Sequence, residues 1–154
     1  MSRLALIIIP LMVSLYLPPV QAGDTISLNI HIAEAPPTAR VLAGYGVIGN
    51  TGDQDITIES IHSALFEAIE IHETVVKDDM AGMRPIDELT IPSGTELALE
   101  PGGRHLMLIR PVQPLSEGDR VPLEFTLRNG NVHRTTVVVK KPDHDHSRQH
   151  HYHP

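Results

Sequence analysis

Apolar residues in this chain recur at every second position within short runs closed by glycine or proline, and a helical period is weak throughout. Ile26, Leu28, Ile30 and Ile32 line one face of a run from Thr25 to Ile32. Val41 to Ile48 is a second, glycine-rich run, ended by the turn sequence Gly49-Asn50-Thr51-Gly52-Asp53. Ile56, Ile58 and Ile61 mark a third. Ala68 to His72 is a fourth, where Ile69 and Ile71 alternate with Glu70 in strand fashion, although residues 60–71 are the stretch most open to a helical reading. Thr95 to Leu99, His105 to Arg110, Val121 to Leu127 and Val132 to Lys140 follow, the last two separated by the hairpin signal Asn129-Gly130. With no internal repeat, the pattern predicts one all-β domain, a sandwich or a barrel.

The two ends stand apart from this pattern. Arg3, the apolar run from Leu4 to Leu17 and the small-residue site Val20-Gln21-Ala22 read as a secretory signal peptide covering residues 1–22, with cleavage after Ala22. The run is short for a membrane span, and no cysteine near the cleavage point offers a lipid anchor. The domain is expected over residues 23–141. From Pro142 the composition turns to His, Asp, Arg and Gln, and residues 142–154 are expected to be a disordered, His-rich tail.

Charge and cysteine usage exclude several functions. Twelve basic residues stand against nineteen acidic ones, and removal of Arg3 with the leader leaves 11 − 19 = −8. That balance disfavours nucleic acid and anionic membranes as partners, because both are held by Lys and Arg on phosphate. The absence of cysteine rules out a thiolate nucleophile, a redox dithiol, an iron–sulfur cluster and a blue-copper centre. No Ser/His/Asp arrangement stands out, so the chain is read as a non-enzyme.

Methionine supplies the sharpest functional signal. Met1 and Met12 belong to the leader, and the remaining three, Met80, Met83 and Met107, fall in one segment between His72 and Met107. His105 and Met107 are two apart on a strand-like run and share a face, which turns Leu106 and Leu108 toward the core. His72 closes the run before it, and Met83 falls in the loop that follows, between Gly82 and Pro85. Two imidazoles and two thioethers favour copper(I), since thioether sulfur is soft and neutral. Calcium and magnesium want oxygen ligands, and zinc takes Cys, Asp or Glu beside His. Chemistry alone leaves Met80 and Met83 as competitors for the same role.

His72, ten residues, Met83, twenty-one residues, His105, one residue and Met107 resemble the His-x10-Met-x21-His-x-Met signature of the periplasmic PCu(A)C copper chaperones. The flanks Ile71-His72-Glu73-Thr74, Met83-Arg84-Pro85 and Pro101-Gly102-Gly103-Arg104-His105-Leu106-Met107-Leu108 are similar to that family too, and the likeness runs from about Asp24 to Lys141. The resemblance implies a cupredoxin-like or immunoglobulin-like Greek-key β-sandwich in a single domain. It implies that His72, Met83, His105 and Met107 hold one copper(I) ion, and that Met80 does not. It also implies a monomeric periplasmic chaperone that delivers copper to the dinuclear centre of cytochrome c oxidase subunit II, or to another copper-accepting assembly protein. The alternative is a periplasmic copper buffer serving tolerance.

Half of the ten histidines lie in the tail, at His144, His146, His150, His151 and His153. Imidazole suits copper(II), and the tract is a compositional signal for a second copper ion there. His31, His62 and His133 are read as surface or hydrogen-bonded histidines. Glu73 and Arg84 flank two of the candidate ligands and are positioned to support them.

Overall fold

The computed structural model describes residues 26–77 and 80–142, and these form ten strands: β1 (Ile26–Ala33), β2 (Val41–Asn50), β3 (Ile56–His62), β4 (Phe66–Lys77), β5 (Met80–Ile86), β6 (Leu89–Ile91), β7 (Glu96–Leu99), β8 (Arg104–Pro111), β9 (Arg120–Leu127) and β10 (Val132–Lys140). The signal-peptide assignment (residues 1–22) and, beyond Pro142, the tail assignment (residues 142–154) fall outside the described residues. The all-β expectation holds. Neighbouring strands run β5-β4-β8-β2-β1-β10-β9-β3-β6, and a further bridge between Ile61 and Ile69 joins β3 to β4. The sheet therefore closes on itself as a flattened barrel, with β5 and β6 as outlying strands and the parallel β1–β10 pair linking its two faces.

Alternation along each strand fills the interior. Ile32, Ile48, Leu106 and Leu108 point in from one face, and Ile58, Ile91, Val121, Phe125 and Val139 from the other, all fully buried. The core is almost wholly aliphatic, as expected from a chain with two Phe and no Trp. Asn50, 1% exposed, is a buried polar anchor at the end of β2. Its Nδ2 donates to the carbonyls of Gln54 and Ile91 at 2.8 and 3.0 Å, and its Oδ1 accepts from the Gly52 amide at 3.0 Å. Every polar group of that side chain near the core thus has a partner, which is what makes its burial tolerable.

One glycine decides the path of β2. Residues 41–44 of β2 pair with β8, whereas residues 46–49 pair with β7. Gly46 lies at the change of partner with φ +140°, and a Cβ there would stand 2.1 Å from the Asn29 carbonyl oxygen of β1. Only glycine permits that approach.

Two local expectations need correction. β4 does not stop at His72 but continues through Thr74, Val75 and Val76 to Lys77. Met83 is not in a loop, because residues 80–86 return along β4 as the edge strand β5. Pro85 is compatible with this position, since an edge strand need not donate on its open side. The three-residue strand β6 carried too short a pattern to be seen in the sequence.

Candidate metal centre

The β8 run places two candidate residues on the outer face of the sheet. Leu106 and Leu108 are fully buried in the core, so His105 and Met107 project the other way. β4 lies antiparallel beside β8 with His72 opposite His105 and Glu70 opposite Met107. β5 lies beside β4 with Pro85 opposite His72 and Met83 opposite Thr74. Directly opposed residues share a face, so Met83 is a diagonal neighbour of His72 on the same face. Met80 pairs with Lys77 and falls on the reverse side of the β4–β5 ribbon. Three adjacent strands thus bring His72, Met83, His105 and Met107 to one face and leave Met80 off it.

The two imidazoles have centroids 6.1 Å apart and an interplanar angle of 35°. Two metal–nitrogen bonds of about 2.0 Å, with half a ring on either side, span about 6 Å, so one ion is within reach of both rings. His105 is 6% exposed, and its Nδ1–H donates to the Gly103 carbonyl at 3.2 Å. The same carbonyl accepts from the Thr74 amide at 3.2 Å, tying β4 to the turn that leads into β8. His72 donates from Nε2 to Glu70 Oε2 at 2.7 Å, while its buried Nδ1 has no hydrogen-bond partner. A buried unpaired acceptor costs about 1–3 kcal/mol and calls for a reason. A lone pair kept for a ligand is such a reason.

The donor set suits a soft cation. Among the described residues no group of three or more His, Asp or Glu side chains is arranged to hold a metal. Thioether sulfur beside two imidazoles is a donor combination that suits soft monovalent ions. Met107 is half-buried, but Met83 is 64% exposed, so one side of the cluster opens to solvent.

An ionic clamp lies on the reverse side. Glu73 is opposite both Arg84 on β5 and Arg104 on β8, and it contacts them at 2.9 and 3.2 Å. Each member is the sequence neighbour of a candidate ligand: Glu73 follows His72, Arg84 follows Met83, and Arg104 precedes His105. The Arg84 hydrogen bond, with the nearby charge of Arg104, holds the Glu73 carboxyl below its ordinary range.

Sequence reasoning missed Glu70, Arg104 and Tyr45 as parts of this region. Tyr45 stands 6.4 Å from His105 and 6.3 Å from His31, ring centroid to centroid, so His31, Tyr45, His105 and His72 form a row across β1, β2, β8 and β4. The signal for Glu70 was present in the period-two spacing Glu70-Ile71-His72, whereas Tyr45 needed the strand order. His62 and His133 lie on β3 and β10, opposite Glu124 and Phe125, away from the cluster. The tail histidines fall outside the described residues.

A family model described as "Putative lipoprotein LpqE-like" matches residues 25–139. The chain belongs to the LpqE-like family. A curated relative, "Putative lipoprotein Lxx21020" of Leifsonia xyli subsp. xyli, is 30% identical over 99 residues, which cover 64% of this chain and 60% of the relative. The LpqE-like chain thus spans about three-fifths of that relative's length. The solution structure of CuI-DR1885 from Deinococcus radiodurans is 29% identical, with 80% of this chain and 83% of that one covered at a TM-score of 0.65. The copper-bound PCuAC domain of PmoF2 is 15% identical, covers 76% of this chain and 92% of that one, and has a TM-score of 0.62. At that identity the second likeness speaks for the fold alone. The single all-β domain that the strand pattern predicts, a sandwich or a barrel, has in this LpqE-like chain the fold of the PCuAC domains.

Proposed function

We propose that this LpqE-like domain is an exported copper(I) chaperone that binds one ion through His72, Met83, His105 and Met107. The observation that carries the reading is the gathering of these four side chains on one face of β5, β4 and β8, with Met80 on the other. Four neutral ligands leave the ion its charge and include no thiolate to hold it tightly, which suits a carrier that must release its cargo. The exposure of Met83 supports exchange from that side, where an acceptor's ligand replaces the thioether before the more buried His105 lets go. The copper(I) form of DR1885, similar over most of this chain, adds support. The recipient in this reading is the dinuclear copper centre of cytochrome c oxidase subunit II, or another copper-accepting assembly protein, met by a monomeric carrier after the leader is cleaved in the periplasm.

Titration of the purified domain with copper(I) against a competing chelator tests the ligand set. One ion per domain is expected, and retention of full affinity in both Met83→Leu and Met107→Leu defeats the assignment. Oxidase failure under copper limitation on gene deletion supports the delivery role.

The His-rich tail favours a second reading, a copper buffer serving tolerance, in which His144, His146, His150, His151 and His153 take up copper(II). Sensitivity to excess copper, with normal oxidase assembly, is the phenotype of that role. Truncation after Lys141 is expected to lower copper(II) stoichiometry, and an unchanged stoichiometry removes the tail from the account.

A further inference from the structure

We propose that Glu70 is a positioning residue that makes His72 present Nδ1, while His105 presents Nε2, so that the two imidazoles of the centre stand in opposite tautomers. The inference rests on the ligand set above and adds which atom of each ring faces the ion and what holds it there.

The geometry of the two rings differs in one respect. Glu70 and His72 are two apart on β4, so both project from the outer face, and the carboxylate reaches Nε2 at 2.7 Å. A carboxylate only accepts, so in the neutral ring the proton sits on Nε2 and the lone pair on Nδ1. That Nδ1 is the one buried side-chain polar atom without a partner among the described residues. On β8 the arrangement is reversed. The acceptor for His105 is the Gly103 carbonyl, which meets Nδ1 and leaves the lone pair on Nε2. The partner of His105 is thus backbone, fixed by the turn, and no side-chain substitution removes it. The partner of His72 is a side chain, 46% exposed, directly opposite Met107. Carboxylate-to-imidazole hydrogen bonds fix the tautomer and the ring orientation of metal-binding histidines. Glu70 is placed to do both for His72 alone.

Long-range proton–nitrogen correlation spectra of the 15N-labelled apo domain, at about pH 8 where imidazole is neutral, read the tautomers without any metal. The expected result is Nε2–H for His72 and Nδ1–H for His105. Addition of copper(I) then moves the Nδ1 resonance of His72 and the Nε2 resonance of His105. Glu70→Ala is expected to mix the His72 tautomers, leave His105 unchanged, and weaken copper(I) binding about 10–100-fold. Glu70→Gln, whose carbonyl still accepts from Nε2–H, is expected to keep the tautomer and stay within about threefold of the wild-type affinity. An Nδ1–H tautomer of His72 in the apo domain, or copper-induced shifts at its Nε2, overturns the proposal while leaving the four ligands standing. A domain that binds no copper(I) yet shows the expected apo tautomers defeats the ligand set instead.

Discussion

His72 on β4 and His105 on β8 are direct cross-strand partners, and Met83 reaches their face because β5 returns along β4 with Met83 opposite Thr74. Met80, three residues earlier on the same strand, is turned to the other side. Met83→Leu is expected to lower copper(I) affinity about 100-fold, or about 2.7 kcal/mol, because leucine keeps the bulk and removes the sulfur. Met80→Leu is expected to leave the affinity unchanged. Chelator competition on both variants checks the pair, and a loss confined to Met80→Leu contradicts the register.

The Glu73 clamp makes the stability of the apo domain sensitive to acid. Arg84 and Arg104 lower the Glu73 pKa in the folded state, so unfolding raises its proton affinity. The contribution is therefore complete above the unfolded-state value and is lost as the pH falls through the lower folded-state value. Urea midpoints of the wild type and Glu73→Gln are expected to differ near neutral pH and to converge in acid. Amide exchange on β5 should also quicken in the variant, since this ion triad ties the edge strand to β4 and β8.

Asn50 holds the turn after β2 to β6 through three hydrogen bonds. Asn50→Ala leaves the Ile91 carbonyl, the Gln54 carbonyl and the Gly52 amide without this partner. A loss of about 2–3 kcal/mol is expected in urea denaturation. A variant as stable as the wild type shows that water replaces all three bonds.

Gly46→Ala tests the switch of β2 from β8 to β7. A methyl group there meets the Asn29 backbone, which cannot swing aside as a side chain would, and the positive φ adds strain. The expected cost exceeds about 3 kcal/mol, read from thermal or urea unfolding. Survival of the domain with unchanged stability means that β1 and β2 can part at Ile30–Gly46 without loss.

Much of the fold was legible because an antiparallel sheet with one buried face writes its alternation into the chain. Ile26, Ile30 and Ile32, or Leu106 and Leu108, are buried as their spacing requires. The ends of β4 and the existence of β5 were not legible. Met80-Ala81-Gly82-Met83-Arg84-Pro85 has glycine and proline where a loop would, and it becomes a strand because Val75 and Val76 extend β4 and offer it a ladder. β6, with three residues, draws its order from pairing with β3 and from the Asn50 bond to Ile91.

The candidate site divides in the same way. His105 and Met107 share a face by the period of one strand, and the absence of cysteine with two Met and two His points to copper(I) by donor chemistry; both are properties of the sequence by itself. Motif spacing already prefers Met83 to Met80, but the place of Met83 on that face, the pairing of His72 with His105, and the hold of Glu70 on Nε2 depend on how β5, β4 and β8 are registered. Register is a tertiary quantity: a slip of one residue in β5 would carry Met83 to the reverse face, and only the pairing of the folded sheet prevents it.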